Sequence, residues 1–221
     1  MTERSGRMFP RRVLEPIDRI SEVLFGLIMA LTFTGSLSAA ESGQAEVRTM
    51  LVGAIGCNLA WGFVDAVMYL MGCLAERGSE LRLSRRLRST RTAEEARGVL
   101  VGALPAAISQ ILIPAELDRI RTELSRLPKP AERASLTGDD WLGAVAVFLL
   151  VFISTIPIVL PFMILQDAWT ALRTSNAIAV AMMFVTGYAF GRLAGYRPWV
   201  TGGSMVLLGC FLVAVTIALG G

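Results

Sequence analysis

Histidine is absent from this 221-residue chain. Its absence excludes imidazole metal sites, haem ligation by histidine and every Ser-His or Cys-His catalytic arrangement. Cysteine is scarce: Cys57, Cys73 and Cys210 all sit within apolar runs, which reads as small buried hydrophobes rather than a disulfide scaffold. Charged residues make up only 18% of the chain and are gathered into blocks, short of the quarter that a water-facing surface uses. No nucleophile–base pair, zinc motif or phosphate loop is visible, so no enzyme is expected. What is abundant is apolar: 54% of residues are hydrophobic and the mean hydropathy is +0.59. An all-α integral membrane protein is expected, with the lipid bilayer as its main partner.

A hydrocarbon core about 30 Å thick needs roughly 20 apolar residues per helical crossing. Five stretches qualify: Val23–Ala40, Thr49–Ala75 with Asp65 as its one charge, Trp141–Gln166, Thr174–Gly191 and Pro198–Gly221. A sixth, Gly98–Ala115, is uncharged but interrupted by Pro105 and Pro114, which a lipid-exposed helix accommodates poorly. Lys and Arg gather on the cytoplasmic side of membrane proteins. With five transmembrane helices and a cytoplasmic N-terminus, 19 basic residues fall inside and only Arg48 and Arg173 outside; a sixth crossing changes the tally to 13 against 8. The expected organisation is therefore a cytoplasmic N-terminal segment (1–22), transmembrane helices one and two (23–75), a small helical cytoplasmic domain (76–140) and helices three to five (141–221), with the C-terminus outside. The sequence pI of about 9.0 follows from arginines that hold topology and meet anionic lipid, so no nucleic acid partner is expected.

Within the insert, Glu76–Arg97 reads as one charged helix or two, broken near Ser89-Thr90. Ala115–Leu127 reads as another helix, with Leu117, Ile120, Leu124 and Leu127 on one stripe. Val99–Ile113 is its apolar partner, or a segment resting on the membrane surface or on a second subunit. Pro128-Lys129-Pro130 is a stiff connection.

Asp65 is the leading functional candidate, because an ionisable group at bilayer depth costs about 2.5–3.5 kcal/mol on insertion scales. Asn58, Asp65 and Gly72 are seven apart, with Trp61 and Met68 between them at helical spacing, which puts them on one face. Amide oxygen, carboxylate and thioether together suit a divalent cation of intermediate softness. A helix–helix hydrogen bond from Asp65 is the plainer alternative. Met29 enters by the proposed pairing of the first two helices, and Glu22, at the inner end of the first, is either an entry group or an interfacial acid. Pro157 and Pro161 lie one turn apart in the third crossing and release the carbonyls of Ile153 and Pro157 for a cation, a water or a hydroxyl, unless they serve only as a kink. Gly187, Gly191 and Gly195, four apart, form a groove for close helix packing.

The C-terminal half resembles the vacuolar iron transporter family. The residues that carry this are Pro157-Ile158-Val159-Leu160-Pro161-Phe162, then Gly187-Tyr188-Ala189-Phe190-Gly191-Arg192, then Gly202-Gly203-Ser204-Met205-Val206-Leu207-Leu208-Gly209 after Trp199. The resemblance implies a homodimer that exchanges iron(II) or manganese(II) for protons, with no permanently bound cofactor, in a bacterial inner membrane. Asp65, Met68, Met29, Asn58 and Glu22 would then serve the metal. Two departures stand out. Aligned on Phe25-Gly26, Met29 takes the place where the family has an aspartate. The insert is dominated by arginine where metal-collecting relatives carry glutamates, leaving Glu94, Glu95, Glu116, Asp118 and Glu123 as possible ligands. A family relative that scaffolds, or moves another solute, is the alternative.

Overall fold

The computed structural model describes residues 16–35, 44–126 and 132–218. Among them every regular element is helical: α1 (Pro16–Gly35), α2 (Gln44–Ser89), α3 (Ala93–Ala103), α4 (Ala106–Ser109), α5 (Pro114–Arg126), α6 (Gly138–Ile164), α7 (Ala168–Ala194) and α8 (Pro198–Ala218). The end of the first expected crossing, the Pro128-Lys129-Pro130 connection and residues 219–221 lie outside the described residues.

Two compact units divide the chain, Met1–Tyr69 with Gly138–Gly221 and, between them, Leu70–Thr137. The division between the units falls within α2, which does not stop where its composition changes. Glu, Arg, Leu and Ser are all tolerated in a helix, and no proline interrupts the change. The 46 residues of α2 extend roughly 69 Å at 1.5 Å each, more than twice the hydrocarbon thickness, so its apolar and charged parts cannot share one solvent.

Among the described residues three helices are long and apolar enough to cross a membrane, namely α2 over Val47–Ser89, α6 and α7; the apolar part of α8, Pro198–Leu212, is shorter. α1 falls outside this set by composition, since Asp18, Arg19 and Glu22 occupy its first two turns. The uncharged Gly98–Ala115 stretch forms no spanning helix: α3 gives way at Leu104, α4 is a single turn after Pro105, and α5 opens on Pro114.

In the first unit, Leu27, Ala30 and Leu31 of α1 close on Ile158 of α6 and on Ala179 and Met183 of α7. Met50 and Ala54 of α2 close on Val159, Phe162 and Ala171. Small residues set the approach distances. A Cβ at Gly26 would collide with the Ser154 hydroxyl and the Val151 carbonyl of α6, and one at Gly187 or Gly191 would collide with Met205, Thr201 or Pro198 of α8. Gly195 departs from the packing role expected of it. Its φ of 75° makes it the left-handed C-cap of α7, and nothing lies within 4 Å of where its Cβ would be. Glycine there removes the penalty of a left-handed residue and ends the helix. Of the three cysteines only Cys73 is buried; Cys57 is half-buried and Cys210 exposed.

The second unit is a small helical assembly. Leu87 of α2, Ala96 and Leu100 of α3 and Leu117 of α5 form its core, with Leu83, Val99, Leu104, Leu112 and Ile120 packed around them. The helix break expected near Ser89-Thr90 is present, and Thr92 caps α3 by accepting from the Glu95 amide at 3.2 Å. The returning chain is held by Arg77, which donates to the Ser135 carbonyl at 2.7 Å, and by Arg85, which donates to the Glu132 carbonyl.

Candidate functional site

The register between α1 and α2 follows from two contacts. Phe25 meets Trp61 edge to face with ring centroids 5.6 Å apart. Glu22, one turn earlier on α1, lies in electrostatic range of Asp65, one turn later on α2. The helices are therefore antiparallel here, and Met29, one turn beyond Phe25, comes level with Asn58. α2 also runs antiparallel to α6. Gly62 faces Phe148, with 3.1 Å from a would-be Cβ to the ring, and Tyr69 covers Gly143. The inward face of α2 is thus Ala54, Asn58, Gly62, Asp65 and Tyr69.

This face carries unsatisfied oxygens. Asn58 is fully buried; its amide nitrogen donates to the Ala54 carbonyl at 3.1 Å, while its Oδ1 has no partner. The Oδ2 of Asp65 is buried and equally without a partner, and no arginine pairs with Asp65 among the described residues. The helix–helix hydrogen bond that would explain Asp65 as a packing residue is missing. A third buried, unpartnered oxygen, Asn176 Oδ1, is on α7, beside Ser175, whose hydroxyl donates to the Ile158 carbonyl at 2.7 Å. Leaving such groups unpaired costs about 1–3 kcal/mol each, and all three are acceptors, the kind of group a cation satisfies. Sequence reasoning missed Asn176, although an amide inside a largely apolar stretch was a visible cue.

The expected ligands stand at different levels of the helices. Asn58 and Asp65 are separated by seven residues, about 10.5 Å along the helix. The arrangement is two levels: Asp65 with Glu22, and Asn58 with Met29. Met68 belongs to neither. It is 61% exposed on the outer side of α2, as is Met71, so the expected common face of Asp65, Met68 and Gly72 is split. Pro157 is half-buried and Pro161 buried, and α6 continues through both, with the Leu165 amide donating to the Pro161 carbonyl at 2.9 Å. The hydroxyls of Ser154 and Thr155 turn back onto the Val151 carbonyl at 2.7 and 3.3 Å.

Four of the five expected insert ligands have partners within the protein. Glu95 accepts from the Arg91 amide at 3.0 Å and Glu116 from the Ile113 amide at 2.9 Å, both at helix starts. Asp118 receives two hydrogen bonds from Arg97, which hold its carboxyl below the ordinary aspartate range, and the charge of Glu94 also reaches Arg97. Glu123 pairs with Arg126 at 2.8 Å. Among the described residues no group of three or more His, Cys, Asp or Glu side chains is placed to hold a metal ion.

A family model described as the VIT family matches residues 70–221, more than half of the chain. The chain belongs to the VIT family. That makes it a multi-pass membrane protein of a metal-ion transporter family, as the three motifs of the C-terminal half implied. The VIT match takes in the insert and begins at Leu70, so α1 and the Asn58–Asp65 face precede it. No protein of curated function matches the chain.

Proposed function

We propose that this VIT-family protein carries a divalent transition metal, iron(II) or manganese(II), across the membrane in exchange for protons. The observation that carries the proposal is the pair of buried, unpartnered oxygens on the inward face of α2, Asp65 Oδ2 and Asn58 Oδ1. Asp65, with Glu22 in electrostatic range, is the charged station: repulsion between two carboxylates in a poorly screened environment is relieved by a cation or a proton between them, and exchanging one for the other is antiport chemistry. Asn58 and Met29 form a neutral second station, where an amide oxygen and a thioether suit a metal of intermediate softness. The metal is cargo, and no resident cofactor is part of the mechanism. The freed carbonyls beside Pro157 and Pro161 are further oxygen donors on α6.

The same reading has five crossings, formed by α1, the apolar part of α2, α6, α7 and α8, in a bacterial inner membrane. The N-terminus and the insert are cytoplasmic and the C-terminus outside, which is where the distribution of arginine puts them. The functional unit is a homodimer. The outward Met68 and Met71, together with Val67 and Phe63 on the same exposed side of α2, supply an apolar surface for a second copy, and Met68 reaches metal only from there.

A second reading has one observation in its favour: Glu95, Glu116, Asp118 and Glu123 of the insert are engaged within the protein, so a relative that scaffolds or moves another solute needs no metal collection. Purified protein in vesicles loaded with an iron- or manganese-sensitive dye separates the two. Metal entry in wild type and its loss in Asp65→Asn support transport; no entry in wild type supports the second reading; equal entry in both removes Asp65 from the mechanism.

A further inference from the structure

The first unit contains a groove of about 520 Å³, and neither Asp65 nor Asn58 lines it. Val23 of α1, Leu149, Ile153 and Pro157 of α6 and Met182 of α7 line it, and Arg19 stands at one end. Its one other polar side chain, Ser154, has its hydroxyl turned onto the Val151 carbonyl. The groove follows α6 from Ala146 to Pro157, eleven residues or roughly 16 Å, about half of a 30 Å hydrocarbon core. α1 and α6 run parallel at this place, since Arg19 lies near Ala146 and Gly26 against Val151 and Ser154. The arginine is thus at the end of the groove towards both helix N-termini, where a membrane surface would lie, and the apolar walls extend from it to mid-membrane depth. Arg19 forms no ion pair among the described residues.

We infer that this groove holds one acyl chain of an anionic phospholipid, with the phosphate on Arg19. The occupant follows from length and charge together. One leaflet's chain matches the groove, and the only cation on it is placed where a headgroup sits. A chain gains no hydrophobic free energy by leaving its neighbours in the bilayer, so retention of this lipid depends on shape and on Arg19, and the preference is for negative headgroups. A volume of this size lies within the ordinary range of ligand pockets. The inference is independent of metal transport and rests on α1 lying in the bilayer beside α6.

Native mass spectrometry of the full chain, released from vesicles of phosphatidylethanolamine with a minor share of phosphatidylglycerol, tests it. Wild type retains phosphatidylglycerol. Arg19→Gln retains lipid but loses about fivefold of the preference for phosphatidylglycerol, the factor that one basic side chain confers near an anionic surface. Ala146→Trp, which fills the groove end, loses the retained lipid, and Arg197→Gln, a basic residue away from the groove, retains it as wild type does. Thermal melting of each variant identifies any that has failed to fold, and Leu149→Phe then replaces Ala146→Trp. Equal headgroup preference in wild type and Arg19→Gln, or undiminished lipid in a folded groove-filled variant, overturns the inference. So does efficient cross-linking of Leu149→Cys between two copies, which would assign the groove to a second chain.

Discussion

Asp65 of the first unit and a group of acids in the insert meet opposite fates. In the insert, Glu95 and Glu116 close helix starts, Asp118 and Glu123 pair with arginines, and Glu94 adds its charge beside Arg97. In the first unit, Asp65 keeps a buried oxygen with no partner, although a hydroxyl or guanidinium would have satisfied it. A solvated acid that finds a partner stabilises local structure by a modest amount. An acid left unpaired in an apolar helix bundle costs free energy and persists where function retains it. Under the proposed function, metal handling falls to α1 and α2, and these insert acids have a structural role.

The largest expected effect breaks the contrast at its centre. Asp65→Asn lowers metal flux by at least about tenfold, the low end of what losing even an outer-sphere partner costs a metal site, and leaves thermal stability unchanged or raised, because an unpaired acid has been removed. Gly191→Leu gives the reverse pattern. Overpacking against Thr201 and Pro198 lowers stability by about 1–3 kcal/mol, read by thermal melting in detergent. Asn58→Ala lowers flux by about two- to tenfold, the worth of one net hydrogen-bond-strength contact, and a loss as large as that of Asp65→Asn would merge the two proposed levels into one.

The smallest effect sharpens the insert side of the comparison. Arg97 holds the Asp118 carboxyl below its ordinary value, so the pair's contribution is complete above about pH 4 and fades as pH falls through the lowered folded-state value. Hydrogen exchange of the Leu100 and Leu117 amides in the full chain rises in that acid window for wild type. In Arg97→Gln the pH dependence flattens, and metal flux at neutral pH is unchanged.

Much of this arrangement was legible in the residues. Asp65 is conspicuous as the one charge between Thr49 and Ala75, and Thr92-Ala93-Glu94-Glu95 has the spacing of a capping box. The engagement of Asp118 needed the tertiary structure, since Arg97 and Asp118 are on different helices. The orientation of α2 was harder. Helical spacing of three groups Met68 with Asp65, but Gly62 admits Phe148 and turns the Ala54–Asn58–Gly62–Asp65–Tyr69 side inward, leaving Met68 outside. The interval of four makes Gly195 look like a third packing glycine. The proline three residues later is a stop cue, and the left-handed backbone at Gly195 obeys it. Composition divides α2 at Ala75, but composition decides the solvent of a segment and does not break a helix.

Flux of iron(II) and manganese(II) into dye-loaded vesicles, compared between Asp65→Asn and the triple insert variant Glu116→Gln/Asp118→Asn/Glu123→Gln, tests the assignment most directly. The single bundle substitution is expected to abolish flux, while the triple variant transports as wild type does. Loss of flux in the triple variant with normal flux in Asp65→Asn would contradict this and move the metal site into the insert.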